Sequence, residues 1–305
     1  MNEIKLIEKR IAREVVLKGY KGQDRVIYAE DKRNEIEEDR AFKPKFAAMT
    51  GLLKFDSFTE GFRKGQLVVV SGPPKHGKTA LCQTFTKRFV EQGMRCLWFS
   101  YELRYEELFD KFPMEKLDFY MPNYMESGNL SWIEDRIIEA KQKHNVDAVF
   151  IDHLDFLRDP EVLRDFRGNS NTSVYIGSII QKVKCMAMEN DVVIFLLAHI
   201  RKNRWLSQEL PASEELSDSR KIPQLADLVV MIIRLRKEGM YDGNRALFGI
   251  IENRHNGRTG KIKVEFRDKE FFEEETLDDK IKEYVDENTT GNFQGTQPDW
   301  MEGAN

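Results

Sequence analysis

The chain has little cysteine, no long apolar run and no overall excess of basic charge. Its three cysteines, Cys82, Cys96 and Cys185, are odd in number, far apart and set among apolar neighbours. That pattern argues against a disulfide framework or a zinc site and predicts buried free thiols. No stretch approaches the about 18 consecutive apolar residues that a membrane span requires. The opening MNEIKLIEKRIAREVV is charged throughout, unlike a secretory leader, so the expected setting is the cytoplasm, with no membrane partner. The formal net charge is −4, but it is unevenly spread. Residues 268–305 hold 12 acidic and 3 basic side chains, a net of −9, which leaves +5 on the preceding 267 residues. Such a mildly basic body permits a nucleic-acid partner without requiring one.

What the chain does have is a composition of 41% apolar and 33% charged residues over 305 positions, enough for a large folded core. Three parts are expected. Residues 1–45 form an N-terminal helical arm, with Ile4, Ile7, Ile11 and Val15 on one face and a charge-rich stretch behind them. Residues 46–272 form the main domain. Residues 273–305 form an acidic tail whose polar end is expected to be disordered from about Thr289. Within the main domain, apolar runs at 67–70, 95–100, 148–152, 192–198, 228–234, 248–253 and 261–266 alternate with helical patterns at 79–92, 132–143 and 174–189. Continuous Val/Ile/Leu/Phe runs fit strands covered on both faces, so the fold class is α/β with a mainly parallel central sheet flanked by helices. The last two strands, joined through Asn256-Gly257, are expected to form a hairpin.

The sharpest chemical signal is Gly72-Pro73-Pro74-Lys75-His76-Gly77-Lys78-Thr79, followed by Ala80, which fits G-x-x-x-x-G-K-[ST] between an apolar strand and an amphipathic helix. Glycines let successive backbone N–H groups curl toward phosphate oxygens, and the helix start adds partial positive charge. Lys78 is expected to reach the β- and γ-phosphates of ATP, and Thr79 to bind Mg2+. Such a site needs a carboxylate at the end of a neighbouring strand to order the metal shell. Asp152 ends the run Ala148-Val149-Phe150-Ile151 and is preferred over Asp155, which lies three residues on in the following loop. Glu102, just after Cys96-Leu97-Trp98-Phe99-Ser100, is the candidate to activate water, ahead of Glu106 and Glu107 on the next helix; a solvated glutamate at a helix start is the plain alternative.

Taken together, these segments resemble the RecA-fold ATPase domain of hexameric replicative helicases of the DnaB type, over roughly residues 50–266. Thr50-Gly51-Leu52, Phe55-Asp56 and Gly61 are similar to the family's entry to the P-loop. Ser71 to Leu81 is similar to its Walker A, Phe99-Ser100-Tyr101-Glu102-Leu103 to the segment carrying its catalytic Glu, and Phe150-Ile151-Asp152-His153-Leu154 to its Walker B. Leu197-Ala198-His199-Ile200-Arg201-Lys202 resembles the strand end that senses the γ-phosphate, where phage and mitochondrial Twinkle-type helicases have His and many bacterial members have Gln. Ser217-Asp218-Ser219-Arg220 and Gln224 to Val229 resemble the family's segment leading into a core strand, with a shortened loop. Glu252-Asn253-Arg254-His255-Asn256-Gly257 resembles the form K-x-R-F-x-G, which implies that Arg254 is an arginine finger for the adjacent subunit's ATP. The family's Lys is Glu252 here.

The resemblance implies a homo-hexamer that hydrolyses ATP with Mg2+ and translocates on single-stranded DNA in DNA replication, with a primase or loader among its partners. The loops expected to face the pore carry Arg164, Phe166, Arg167 and Asn169, and then Arg201, Lys202, Arg204 and Trp205; cations suit a phosphate backbone and the aromatic rings suit stacking on bases. Acidic residues interleave with them, so a solvated loop is the competing reading. No N-terminal helical domain of the primase-contacting kind precedes the arm, which suggests a pared-down form. Two other classes stay open: a RecA- or KaiC-like ATPase in recombination or regulation, and a nucleotide-gated scaffold.

Overall fold

The computed structural model describes residues 10–13, 15–19, 21–22, 26–42, 48–126, 128–158, 169–199, 221–237 and 240–274. The chain divides into two compact units, 1–46 and 47–305. In the first, the charge-rich stretch expected only as an arm contains a helix, α1 (Ala29–Phe42). Its surface carries ion pairs one turn apart, Lys32 with Glu35 and Arg33 with Glu37, each worth a few tenths of a kcal/mol.

The second unit is built on an eight-stranded sheet of order β2-β3-β4-β1-β5-β6-β7-β8. Its strands are β1 (Leu67–Gly72), β2 (Cys96–Ser100), β3 (Ala148–Asp152), β4 (Val193–His199), β5 (Leu228–Lys237), β6 (Met240–Asn253), β7 (Gly260–Arg267) and β8 (Glu270–Glu273). The first five in spatial order are parallel, and β5 through β8 pair antiparallel. The helices of this unit are α2 (Leu53–Thr59), α3 (Lys78–Glu91), α4 (Tyr105–Lys111), α5 (Leu130–His144), α6 (Asn169–Glu189) and α7 (Lys221–Leu225).

The central strands are buried along nearly their whole length, and alternate residues feed two cores. On one face Val69, Phe99, Ile151 and Leu196 join Trp132 and Ile137 of α5 and Ile179 and Val183 of α6. On the other, Trp98, Phe150 and Phe195 pack with Phe62, Phe85 and Phe89, ring centroids 4.7–6.3 Å apart. This aromatic layer fixes α3 to the sheet, and so fixes the loop that opens α3.

Polar anchors close the unit. Asp56 accepts from Thr50 N, Thr50 Oγ1 and Gly51 N, all at 2.9 Å, which accounts for the Thr-Gly and Asp pattern ahead of β1. Asp227 accepts from Leu67 N at 2.7 Å and pairs with Lys184 at 2.6 Å, tying the starts of β1 and β5 to α6.

Every strand expected from the sequence is present, and β6 and β7 form the expected hairpin. The additional strand is β8. Its hairpin with β7 turns at Asp268 and Lys269, both at positive φ (51° and 66°), without the Gly or Asn that normally signals such a turn. β8 also carries the ordered body past position 272: Glu273 accepts from Lys54 N and Phe55 N, and Glu274 pairs with Arg245 at 2.6 Å. The expectation of three buried thiols is corrected at Cys185, which is exposed on α6 while Cys82 and Cys96 are buried. It falls on the side of the helix away from the Ile179, Val183 and Met186 stripe.

Candidate active site

Parallel pairing determines which residues meet. In register, Gly72 of β1 stands beside His199 of β4, and Ser100 of β2 beside Asp152 of β3. All four strand ends therefore reach one edge of the sheet, where ligands bind in open α/β folds.

The β1–α3 loop wraps this edge tightly. Gly72 has φ +153°, and a Cβ there would come within 2.4 Å of Ile232 O. Gly77, the N-cap of α3, has φ +99°, and a Cβ would meet the Phe271 ring at 3.1 Å. Only glycine fits both positions.

Lys78 is buried, and its Nζ donates to the carbonyls of Gly72 and Pro73, each at 3.1 Å, while facing His199 Nδ1 at 2.9 Å. Three ammonium protons thus meet three acceptors, and the neutral His199 ring carries its proton on Nε2, as assigned from this network. Burial lowers the Lys78 pKa to about 8, against the opposing pull of Asp152 and Glu102. Burial, and then Lys78 and His153, lower that of His199. The Lys78 ammonium thus disfavours a charged His199 ring beside it.

Thr79 Oγ1 donates to Asp152 Oδ2 at 2.7 Å. Asp152 is almost wholly buried, and its Oδ1 has no hydrogen-bond partner among the described residues. Desolvation raises its pKa above the ordinary carboxylate range; the Thr79 bond opposes this and the Glu102 charge adds to it. Asp155, the competitor, lies in the turn after β3 and pairs with Arg158 at 2.6 Å. Its hydrogen bond to His153 holds its pKa low.

Glu102 projects from the β2–α4 connection and is about half exposed. It lines the same cleft as Lys78, Thr79, Gln83 and His199, a cavity of about 460 Å³. Glu106 and Glu107 lie in the first turn of α4, as expected.

A sequence profile of the DnaB-like helicase C terminal domain matches residues 48–132 and 113–274. The chain belongs to this family. Replicative DNA helicase DnaB of Mycoplasma genitalium is 27% identical over 256 residues, covering 72% of this chain and 54% of its own. That of Helicobacter pylori strain 26695 is 24% identical over 221 residues, covering 61% and 43%. The chain spans about half the length of the curated relatives it matches. In fold it is similar to a solved ATPase domain, with a TM-score of 0.66, 18% identity and coverage of 81% of this chain and 99% of that one. A DnaB-like replicative helicase described with its interactions with primase superposes with a TM-score of 0.65 and 18% identity, over 90% of this chain and 76% of its own.

Within this DnaB-like domain, the residues singled out in the sequence separate into groups. Lys78, Thr79, Ala80, Glu102 and His199 share the cleft, and Asp152 reaches it through Thr79. His76 turns the other way: Nδ1 accepts from Arg234 N at 3.0 Å, and the ring lines a second cavity of about 280 Å³ with Arg234 and Phe271. Pro74 and Lys75 are exposed at the bend, where Lys75 borders both cavities. Arg254 is at the opposite edge of the sheet, following Asn253, which pairs with the first residue of β5. Its N–H donates to Asp227 O at 2.9 Å and its guanidinium to Gln224 O. Four residue steps of strand, roughly 13 Å, separate that edge from the P-loop end of β1 and β5, so Arg254 does not serve Lys78 of its own chain. Asn169 opens α6. Arg164, Arg167, Arg201, Lys202 and Arg204 lie outside the described residues, as do Phe166, Trp205 and the Ser217 to Arg220 segment.

Sequence reasoning missed His153. It is buried, and its Nε2 lies 4.0 Å from Glu102 Oε2. In sequence it follows the strand-ending Asp152 and reads only as part of a motif. The signal available was a second histidine near the sheet edge that carries His199.

The arrangement fits a phosphate chain with a divalent cation. The glycines let the loop turn tightly against Ile232 and Phe271, Lys78 supplies an ammonium, and Asp152 Oδ1, with no partner among the described residues, and Thr79 Oγ1 offer hard oxygen donors.

Proposed function

We propose that this chain is the motor domain of a replicative DNA helicase: a homo-hexamer that hydrolyses ATP with Mg2+ between subunits and translocates on single-stranded DNA. The observation that carries this is the split between the two edges of the sheet. One edge gathers Lys78, Thr79, Asp152, Glu102 and His199, and the other presents Arg254. A cyclic assembly with head-to-tail interfaces would bring one edge to the other.

In this reading Lys78 leaves its carbonyl partners for the β- and γ-phosphates, with backbone N–H groups of residues 75–80, those after the two prolines, completing the cradle. Thr79 and Asp152 would hold Mg2+, which when bound offsets phosphate charge. Glu102 orients and deprotonates the attacking water. His199, released from Lys78, donates from a ring nitrogen to the γ-phosphate and so couples nucleotide state to β4 and the loop beyond it. Arg254 of a neighbouring copy would neutralise charge on the transferring phosphoryl group, an effect worth about 10³–10⁵ in rate where measured elsewhere.

Residues 1–45 are assigned as an arm between copies, and the ATPase domain, expected to end at 272, runs through β8 to 274, which leaves 275–305 as the acidic tail. Arg164, Arg167, Asn169, Arg201, Lys202 and Arg204 are assigned to the DNA-facing loops, and a primase or loader to the partner set. The test is ATP hydrolysis with and without single-stranded DNA, beside sedimentation with ATP and Mg2+. Stimulation by DNA and a ring-sized species are expected. Hydrolysis indifferent to DNA, from a protein that stays monomeric, would sink the reading.

A further inference from the structure

Glu102, His153 and His199 each present one metal-ligating atom, and the three atoms lie within 4.8 Å of one another. The two imidazole rings stand 4.3 Å apart at 70°. His153 is buried and oriented by the turn it caps: Nδ1 lies 3.3 Å from Asp155 N and 3.4 Å from Asp155 Oδ2. To bind through Nε2, His153 exchanges its contact with Asp155 N for donation from a protonated Nδ1 to the Asp155 carboxylate, the arrangement that fixes ring orientation in metal sites.

We propose that Glu102, His153 and His199 form a binding site for a borderline divalent transition-metal ion of the Zn2+ class, separate from Thr79 and Asp152. Two imidazoles and one carboxylate suit such ions, whereas Mg2+ takes oxygen ligands and keeps its waters. Ligand bonds of about 2.0–2.2 Å place donors roughly 3.5 Å apart, so the longest present separation must close by about 1.3 Å. Glu102, its side chain 47% exposed, can close toward the rings, while His153 is held at 8%, so closure between the two imidazoles falls to His199.

An ion taken up through His199 Nε2 moves the ring proton to Nδ1 and so breaks the Lys78 contact there. The inference rests on the proposed function in one respect: an ion held here withdraws Glu102 from water and His199 from the γ-phosphate. Occupancy and hydrolysis therefore exclude each other, and Zn2+ acts as a reversible inhibitor.

The experiment uses the full chain carrying Cys185→Ser, which removes the exposed thiol as a rival ligand. Zn2+ binding is measured by calorimetry without nucleotide, and Co2+ binding by visible absorption. One ion per chain is expected, with Glu102→Gln and His153→Asn each weakening it at least about tenfold. The Zn2+ concentration that halves each protein's own Mg-ATP hydrolysis rate should rise by a similar factor in His153→Asn, and a chelator should restore the parent rate. Equal Zn2+ affinity in the parent and both variants, or no binding by the parent, overturns the site. If the parent binds Zn2+ through this trio but hydrolyses no ATP at any metal concentration, the site stands and the motor reading fails.

Discussion

Lys78 Nζ stands 2.9 Å from His199 Nδ1, joining the first residue of α3 to the last residue of β4. Here the histidine is an acceptor for the lysine; in the proposed reading phosphate takes the lysine and that nitrogen changes partners. A side chain whose hydrogen bond switches with ligand can bias a packed element between two arrangements. His199→Ala should therefore lower ATP turnover about 10²-fold while nucleotide affinity changes less than tenfold. His199→Gln, which keeps an acceptor and a donor at similar reach, should recover much of the loss. Steady-state hydrolysis and fluorescent-nucleotide titration check both. Equal losses in turnover and affinity would make His199 a binding residue only.

Asp152 carries a buried charge, one hydrogen bond from Thr79, and an oxygen with no protein partner among the described residues. Its folded pKa is raised, so the unfolded chain ionises first as pH climbs past 3.8, and the folded state loses stability from there until its own carboxyl has ionised. At neutral pH the penalty is fully present. Asp152→Asn should raise the stability of the nucleotide-free protein by about 1 kcal/mol at pH 8 while abolishing Mg2+-dependent hydrolysis. Denaturant melts at pH 8 and pH 4 test this, and the variant's advantage should shrink at pH 4. A destabilised variant at pH 8 would mean that the carboxylate is better solvated than its burial implies.

Arg254 and Lys78 lie at opposite ends of the strands, so a site that uses both takes one from each of two copies. Arg254→Ala and Lys78→Ala should each be inactive alone. Mixed one-to-one, about one interface in four pairs an intact P-loop with an intact finger, and hydrolysis should reappear toward that fraction. Mixtures as inactive as either parent would place the two residues in no common site.

The parallel half of the sheet was legible because residues covered on both faces must be apolar throughout, and Ala148 to Asp152 shows such a run ending in an acid. The P-loop was legible because its glycines are required: a Cβ at Gly72 would come within 2.4 Å of Ile232 O, so only glycine suits that turn. The turn between β7 and β8 was not, since Lys269 stands at φ 66° in a position where glycine is the usual signal. His153 was missed because its neighbours, Glu102 and His199, are brought to it by strand register, not by sequence proximity.

His76 lies inside the phosphate-loop motif yet faces β5 and β6. Burial, together with Lys78, Arg234 and Arg236, depresses its pKa to about 4. Tyr241 OH, 3.5 Å from Nε2, and Arg234 N, 3.0 Å from Nδ1, are the neutral groups facing the ring. The folded value is below the unfolded value of 6.5, so the unfolded chain takes up a proton first as pH falls. Stability is then lost between about 6.5 and 4, and the loss is complete below that window. Solvent reaching the ring from the adjoining cavity limits the effect to about 1–2 kcal/mol. His76→Gln retains an acceptor for Arg234 N and removes the titration, so its stability should fall less than that of the wild type between pH 6.5 and 4. Parallel slopes for the two proteins would show that the imidazole charges without penalty, and that other groups drive acid unfolding.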